Sequence, residues 1–140
     1  MKLLKLVKNI TLLFIIVVST VVSAKQFTLK DTPPVVISSS PVAGSTTVDP
    51  STSEIIIKFS KEMMTHKMWT VVKLENGNFP EVTGDVYYKE DARTFVIPVK
   101  LQENTVYAFG INSSKSRGFK DVNGNSAQPY IISFKTASKV

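Results

Sequence analysis

Hydrophobic and polar residues alternate with a period of two through much of the chain. The clearest example is the segment 54–60, where Ile55, Ile57 and Phe59 point one way and Ile56 is the one apolar residue among those that point the other way. Because successive side chains of a β-strand point to opposite faces of the sheet, this spacing predicts a strand with one buried face. The segment 105–112 alternates in the same way and is predicted to bury an apolar face of its own.

Turn-forming residues divide this pattern into short runs, and no stretch shows sustained helical periodicity. The predicted strands are 35–39, 54–60, 68–75, 82–88, 94–99, 105–112 and 130–136. Asn76-Gly77 and Asn123-Gly124 are strong signals for tight turns, and the segment 89–93 is predicted to close a hairpin. About seven short strands with turns between them favour an all-β fold, an antiparallel β-sandwich with Greek-key connections.

A tyrosine near the start of the sixth predicted strand specifies the topology further. Leu101, Thr105 and Tyr107 stand in the arrangement L-x-x-x-T-x-Y just before and within that strand. In Greek-key sandwiches a tyrosine at this place often forms a hydrogen bond through its hydroxyl to the preceding loop, which pins the crossing between the two sheets. We therefore predict a tyrosine corner at Tyr107.

Two groups of residues keep a recognisable order and spacing along the chain. In the opening half they are Pro33-Pro34, Ser40-Pro41, Gly44, Val48, Ile55, Ile57, Phe59, Ser60 and Met63. In the closing half they are Leu101, Thr105, Tyr107, Asp121, Gly124-Asn125, Phe134 and Thr136. Together they resemble the SbsA-type bacterial Ig-like domain, a family first named from S-layer proteins, except that Glu62 stands where the family often has proline. The resemblance implies an immunoglobulin-like sandwich of about seven strands.

The first 24 residues have the layout of a secretory signal peptide. Lys2, Lys5 and Lys8 precede an apolar run over 10–22, and the segment closes on small residues that end at Ala24. The alternative, an uncleaved membrane anchor, is disfavoured because the run is shorter than the roughly 20 apolar residues that cross a bilayer. We expect cleavage after Ala24, export to the periplasm or beyond, and no stable membrane insertion afterwards.

The rest of the chain is predicted to hold one domain. Residues 25–32 are expected to be a flexible leader, residues 33–137 the Ig-like sandwich, and residues 138–140 a short tail. The chain contains no cysteine, so hydrophobic packing must stabilise the exported domain without disulfides.

Three of the 17 basic residues and none of the 11 acidic residues lie in the first 24, which leaves a net charge of +3 from residue 25 onward. This mild, dispersed excess does not indicate nucleic-acid binding.

Nothing in the sequence has the pattern of a catalytic site. The chain has one histidine, His66, with no serine or aspartate predicted to lie near it, and it has no nucleophile motif. The run from Asp121 to Asn125 resembles the start of a calcium loop, but Ser126 and Ile132 occupy the positions that need glycine and glutamate. We therefore expect neither an enzyme nor a bound cofactor, and we interpret that run as a plain turn.

The segment 63–69 is unusual in composition. After the predicted signal peptide it contains every methionine, the only histidine and the only tryptophan of the chain. Met63, Met64, His66 and Met68 offer the soft ligands that Cu(I) prefers, which predicts a metal site as one alternative. The interpretation that we favour has no metal: Met63 packs beneath the strand connection, and the other two methionines and the tryptophan cap the end of the core.

The sequence therefore favours an exported, non-catalytic Ig-like module with a binding or structural role in the bacterial cell envelope. Its partner is expected to be an envelope protein or glycan, contacted through strand edges and end loops. The alternative is a small periplasmic copper carrier that uses the segment 63–69.

Overall fold

The computed structural model describes residue 26 and residues 28–138, so the predicted signal peptide and the last two residues lie outside the described residues. Within the described part, the chain forms one turn of 3-10 helix over Leu29–Asp31 and eight strands. The strands are β1 (Val36–Ser40), β2 (Glu54–Phe59), β3 (Val71–Lys73), β4 (Glu81–Val82), β5 (Tyr87–Tyr88), β6 (Thr94–Lys100), β7 (Val106–Ile111) and β8 (Tyr130–Lys135). No helix in this part is long and apolar enough to span a bilayer.

The strands form two antiparallel sheets that enclose one core. The first sheet has the order β1-β2-β6-β4, with β5 also paired to β6, and the second has the order β3-β7-β8. If β4 and β5 are counted as one interrupted strand, this is the seven-strand order of a constant-type immunoglobulin sandwich. The predicted all-β Greek-key sandwich is therefore confirmed.

Two of the predicted strands are shorter than the sequence pattern indicates. The segment 68–75 is a strand only over β3, and the segment 82–88 is divided into β4 and β5. The division lies opposite Pro98 of β6, whose carbonyl accepts a hydrogen bond from Thr83 N at 3.0 Å. Because proline has no N–H group, Pro98 cannot donate to the neighbouring strand, and the ladder is interrupted there.

Side chains from the inner faces of both sheets form the core. Its fully buried members include Phe59, Phe95, Phe109, Phe119, Phe134, Ile55, Ile57, Ile97, Ile111 and Ile132. The inward residues of β2 and β7 are those that the period of two predicts, because every second residue of each strand is buried. In β7 the small Gly110 is buried as well, although it lies on the opposite face from Phe109 and Ile111.

Phe119 is a core residue that the sequence pattern did not indicate. It lies in the polar, basic loop between β7 and β8, yet it is 0% exposed. Its ring packs against those of Phe59 and Phe95, with centroid distances of 5.3 and 5.0 Å. The loop therefore contributes to the same core as the two sheets.

The tyrosine corner predicted at Tyr107 is present. The backbone N–H of Gln102 donates a hydrogen bond to Tyr107 Oη at 2.7 Å, and Tyr107 is only 4% exposed. The carbonyl of Gln102 accepts a hydrogen bond from Thr136 Oγ1 at 2.6 Å. Both backbone groups of Gln102 are therefore fixed to the second sheet, which holds the crossing from β6 to β7 in place.

We expect Tyr107→Phe to lower the free energy of unfolding by about 1 kcal/mol or more, because it leaves the Gln102 N–H without its buried acceptor. Tyr88→Phe is the matched control. Tyr88 packs against Phe95 at a centroid distance of 4.9 Å, and its buried hydroxyl has no hydrogen-bond partner among the described residues. Burial also raises the pKa of Tyr88. Removing this hydroxyl should leave stability unchanged or raise it by up to about 1 kcal/mol.

Denaturant melts of the wild type and the two variants measure this contrast directly, since the same atom is removed from each tyrosine. If the unfolding midpoint of Tyr107→Phe coincides with that of the wild type or of Tyr88→Phe, the hydrogen bond of the corner contributes nothing to stability.

Candidate functional site

The connection between β2 and β3 carries residues 63–69, which we call the methionine segment. Met63 N donates a hydrogen bond to Ala92 O at 2.8 Å, in the turn between β5 and β6. Met64 N donates to Lys120 O at 2.9 Å, in the loop between β7 and β8. The start of the segment is therefore held between two turns at one end of the sandwich.

The side chains of the methionine segment divide into a core group and a surface group. Met63 is 1% exposed and belongs to the core, and Trp69 is partly buried and packs against the core. Met64 is 38% exposed, His66 is exposed, and Met68 is half-buried without packing against the core. The predicted packing is therefore confirmed for Met63 and Trp69 and is wrong for the other two methionines, which lie at the surface and are not packed against the core.

The surface group borders a depression of about 320 Å³. Its lining consists of Met63, Met64, Thr65, His66, Met68 and Val122. The structure therefore brings together all four residues that the sequence indicates as candidate metal ligands. No cluster of three or more histidines and carboxylates that could hold a metal ion occurs within the part of the chain that the structure describes.

Asp121 lies beside this depression, because the next residue, Val122, forms part of the lining. Asp121 is 0% exposed, and each of its carboxylate oxygens accepts two hydrogen bonds. The N–H groups of Asn123 and Asn125 donate to Oδ1, both at 2.9 Å. Asn125 Nδ2 donates to Oδ2 at 2.9 Å, and Lys61 Nζ donates to Oδ2 at 3.0 Å. Asp121 therefore organises the plain turn that the sequence predicts.

Two opposing effects act on the Asp121 carboxyl. Burial would raise its pKa, because burial disfavours the charged form. The hydrogen bonds from the side chains of Asn125 and Lys61 and from the backbones of Asn125 and Asn123 outweigh burial and hold the pKa below its ordinary value. A carboxylate that is held ionised by four donors is poorly suited to accept a proton as a general base.

The same turn also holds the chain that enters the sandwich. Lys61 Nζ donates a hydrogen bond to the carbonyl of Thr32, and Asn125 Nδ2 donates to the carbonyl of Lys30 at 2.9 Å. The residues Leu29–Asp31, within the predicted leader, form the 3-10 turn. The flexibility of the leader stays a prediction, but its last residues have defined partners.

Asn112 is a structural residue that sequence reasoning missed. Its Nδ2 donates to the carbonyls of Phe119 and Ala127, both at 3.0 Å, and its Oδ1 accepts a hydrogen bond from Phe119 N at 2.9 Å. Its backbone has a φ of 56°, in the left-handed region that asparagine tolerates better than most residues. An asparagine directly after a strand is the one signal that could have indicated this role.

Comparison with solved structures finds similarity to surface-layer proteins. The structure of surface layer protein SbsC, domains 1-6, has a TM-score of 0.48 and 17% identity, over 79% of this chain and 14% of that chain. The S-layer protein rSbsC has a TM-score of 0.48 and 16% identity, over 78% of this chain and 14% of that chain. The match therefore spans 14% of the length of each of these proteins.

A search of curated proteins gives no match. The comparison with protein families covers most of the chain, because residues 30–136 match the family described as bacterial Ig-like domain. That range contains every strand of both sheets, the tyrosine corner and the turn organised by Asp121. The chain therefore belongs to the bacterial Ig-like domain family.

Proposed function

We propose that this protein is an exported, non-catalytic module of the bacterial cell envelope, of the SbsA type within its family, which binds or positions an envelope protein or glycan. The proposal that the module is non-catalytic is supported by the hydrogen bonds that its buried polar side chains form. Within the described residues these side chains are Thr94, Asn112, Asp121 and Thr136. Each one is hydrogen-bonded to a turn or to the end of a strand, so each braces the sandwich.

The outer face of the second sheet supports a binding role. Val106 of β7 and Ile131 of β8 point away from the core, and they are 51% and 60% exposed. Ile131 is paired with Gly110, and Ala108 lies between Gly110 and Val106 on the same face. On this face Val106 is paired with Lys135 and Ala108 with Ser133, so polar side chains lie beside the apolar ones. Exposed apolar side chains that share one face of a sheet can mark a contact with another molecule.

We expect the double substitution Val106→Glu with Ile131→Lys to leave the fold intact and to weaken capture of envelope components, because a glutamate at 106 lies opposite Lys135. Both side chains are exposed, so each change should alter the free energy of unfolding by less than about 0.5 kcal/mol. The matched control is Ile37→Lys on β1 of the first sheet, where the side chain is 56% exposed.

For this test, the immobilised proteins are incubated with envelope extract, and mass spectrometry identifies the bound material. Identical capture by the wild type, the double variant and the control would show that the second sheet is not the binding face.

Export is tested by expressing the full chain in a bacterium and sequencing the amino terminus of the protein in each cell fraction. We expect a protein that starts at Lys25 in the periplasm or the medium. Ala24→Leu is the matched control, because a signal peptidase reads small residues at this position and cleavage should fail. Wild-type protein that retains residues 1–24 in the membrane fraction would contradict the proposed export.

A second candidate function, a small exported copper carrier, is favoured by one observation. The soft side chains of the methionine segment line one depression, and two of the three methionines there are not needed by the core. Such a carrier would need a metal-binding site at this depression.

A further inference from the structure

We propose that the depression beside the methionine segment is a binding site for one Cu(I) ion. Met64, His66 and Met68 are the ligands, and Met63 forms the floor. The site goes beyond the proposed envelope role and does not depend on it, because neither the binding face on the second sheet nor export requires a metal ion.

The lining of the depression offers soft donors and no charged oxygen. It contains three thioethers and one imidazole, and the two other lining residues are Thr65 and Val122. Thioethers and imidazole are ligands that suit Cu(I), whereas Ca²⁺ and Mg²⁺ require several oxygen ligands. The side chains therefore select a soft ion and provide little for a hard one.

Packing accounts for only one of the three methionines. Met63 is 1% exposed and fills the core, but Met64 is 38% exposed and the half-buried Met68 does not pack against the core. A long apolar side chain gains little stability from such a position, because most of the stabilisation from methionine comes from removing its surface from water. The two outer methionines are thus available as ligands without cost to the fold.

The backbone that carries the ligands is fixed on both sides. Met64 N donates to Lys120 O at 2.9 Å at the first ligand residue, and Asn112 N donates to Thr70 O at 3.2 Å after the last one. Gly118 packs directly on Trp69, where an added Cβ would lie 2.6 Å from the Trp69 carbonyl oxygen. Only a short stretch between these contacts has to be ordered when an ion binds, which keeps the entropic cost of binding small.

A local change of backbone direction places the ligands on one side of the connection. Lys67 has a φ of 50°, in the left-handed region, which turns the chain between His66 and Met68. Both of these residues then line the same depression, while Lys67 is not part of the lining. The only charged residue of the methionine segment is thereby kept out of the cation site.

The test uses the purified, untagged protein without oxygen, with Cu(I) supplied as its bicinchoninate complex. Ag(I), a soft ion that does not change oxidation state, is titrated in parallel. We expect the protein to withdraw one equivalent of Cu(I) from the complex and to bind one equivalent of Ag(I). Trp69, the only tryptophan of the chain, follows Met68 directly, so its fluorescence should be quenched as the site fills.

Three variants remove the ligands and one serves as the control. Met64→Leu, Met68→Leu and His66→Ala should each lower the affinity by about tenfold or more, since even the loss of a group that only orients a metal ligand has that effect. Thr65→Ala changes a lining residue that is not a ligand and should leave the affinity unchanged. Thermal melts without metal should coincide for all four variants, because none of the substituted side chains belongs to the core.

Three outcomes would overturn the proposal. The first is a wild-type protein that withdraws no Cu(I) from bicinchoninate and binds no Ag(I). The second is binding that survives the combined loss of Met64, His66 and Met68, which would place the ion elsewhere. The third is a loss of affinity in Thr65→Ala as large as that in the ligand variants, which would show that binding does not depend on the soft donors.

Discussion

Replacing Asp121 with alanine should lower the free energy of unfolding by about 3 kcal/mol, as loss of one partner from a buried charged network does. The change leaves the N–H groups of Asn123 and Asn125 without their acceptor in an enclosed turn. It also removes the carboxylate from Lys61 Nζ, which keeps its hydrogen bond to the carbonyl of Thr32. The value is at the lower end of the range for such networks, because the side chain of Lys61 is 20% exposed and regains some hydration.

Asp49→Ala is the matched control for this experiment. Asp49 also caps a turn, where its Oδ1 accepts a hydrogen bond from Ser51 N at 2.8 Å, but the turn is exposed and water can replace the carboxylate. Urea melts at neutral pH compare the three proteins. Equal midpoints for the two aspartate variants would show that burial adds nothing to the role of Asp121.

The lowered pKa of Asp121 also makes its contribution depend on pH. A carboxyl whose pKa is lower in the folded protein than in the unfolded chain adds stability above its ordinary pKa of 3.8. That stability is lost as the pH falls through the lower pKa of the folded state. The gap in unfolding free energy between the wild type and Asp121→Asn should therefore narrow below about pH 4. A gap that stays constant between neutral and acidic pH would contradict this assignment.

Met63→Ala should lower the free energy of unfolding by about 2–5 kcal/mol, the cost of removing a buried side chain and leaving a cavity. Met63 is 1% exposed, and the turns that accept hydrogen bonds from its backbone and from that of Met64 limit how far the surroundings can collapse. A flexible thioether fills an irregular gap of this kind well, so no other side chain nearby is expected to replace it.

Met64→Ala is the control, because it is the same chemical change at the next residue, where the side chain is 38% exposed. We expect a loss of about 1 kcal/mol or less, as is usual for exposed positions. Thermal and denaturant melts without added metal measure both variants. Similar losses at the two positions would mean that the division of the segment into core and surface groups is wrong.

The parts of the fold that the sequence predicts are those with a local pattern. Ile55, Ile57 and Phe59 repeat with the period of a half-buried strand, and each is 0% exposed. The corner at Tyr107 follows from spacing within one strand and its preceding loop, and the hydrogen bond to Gln102 is present.

The parts that were missed depend on contacts between distant residues. Phe119 is a single aromatic residue in a polar loop, so it has no periodicity that would mark it as buried. Lys61 and Asp121 are 60 residues apart in the sequence, and they join two loops of the fold. Neither residue has a local pattern that indicates the other.

The candidate site could also be predicted only in part from the sequence. Composition alone indicates Met63, Met64, His66 and Met68 as a group, and the structure places all four around one depression. Composition does not distinguish Met63, in the core, from Met64, at the surface, because adjacent residues in an irregular connection have no fixed period of burial.

The anchoring of the entering chain has a mechanical consequence. The carbonyls of Lys30 and Thr32 are held by Asn125 and Lys61, and both of those side chains also bind Asp121. A force that pulls on the chain ahead of these residues is carried by this cluster before it reaches β1, the edge strand of the first sheet. The force is transmitted to the turn at the end of the sandwich, and β1 stays paired with β2 until the hydrogen bonds of the cluster break. A domain under tension at its amino-terminal side would be protected from separation of β1 and β2 by such an anchor.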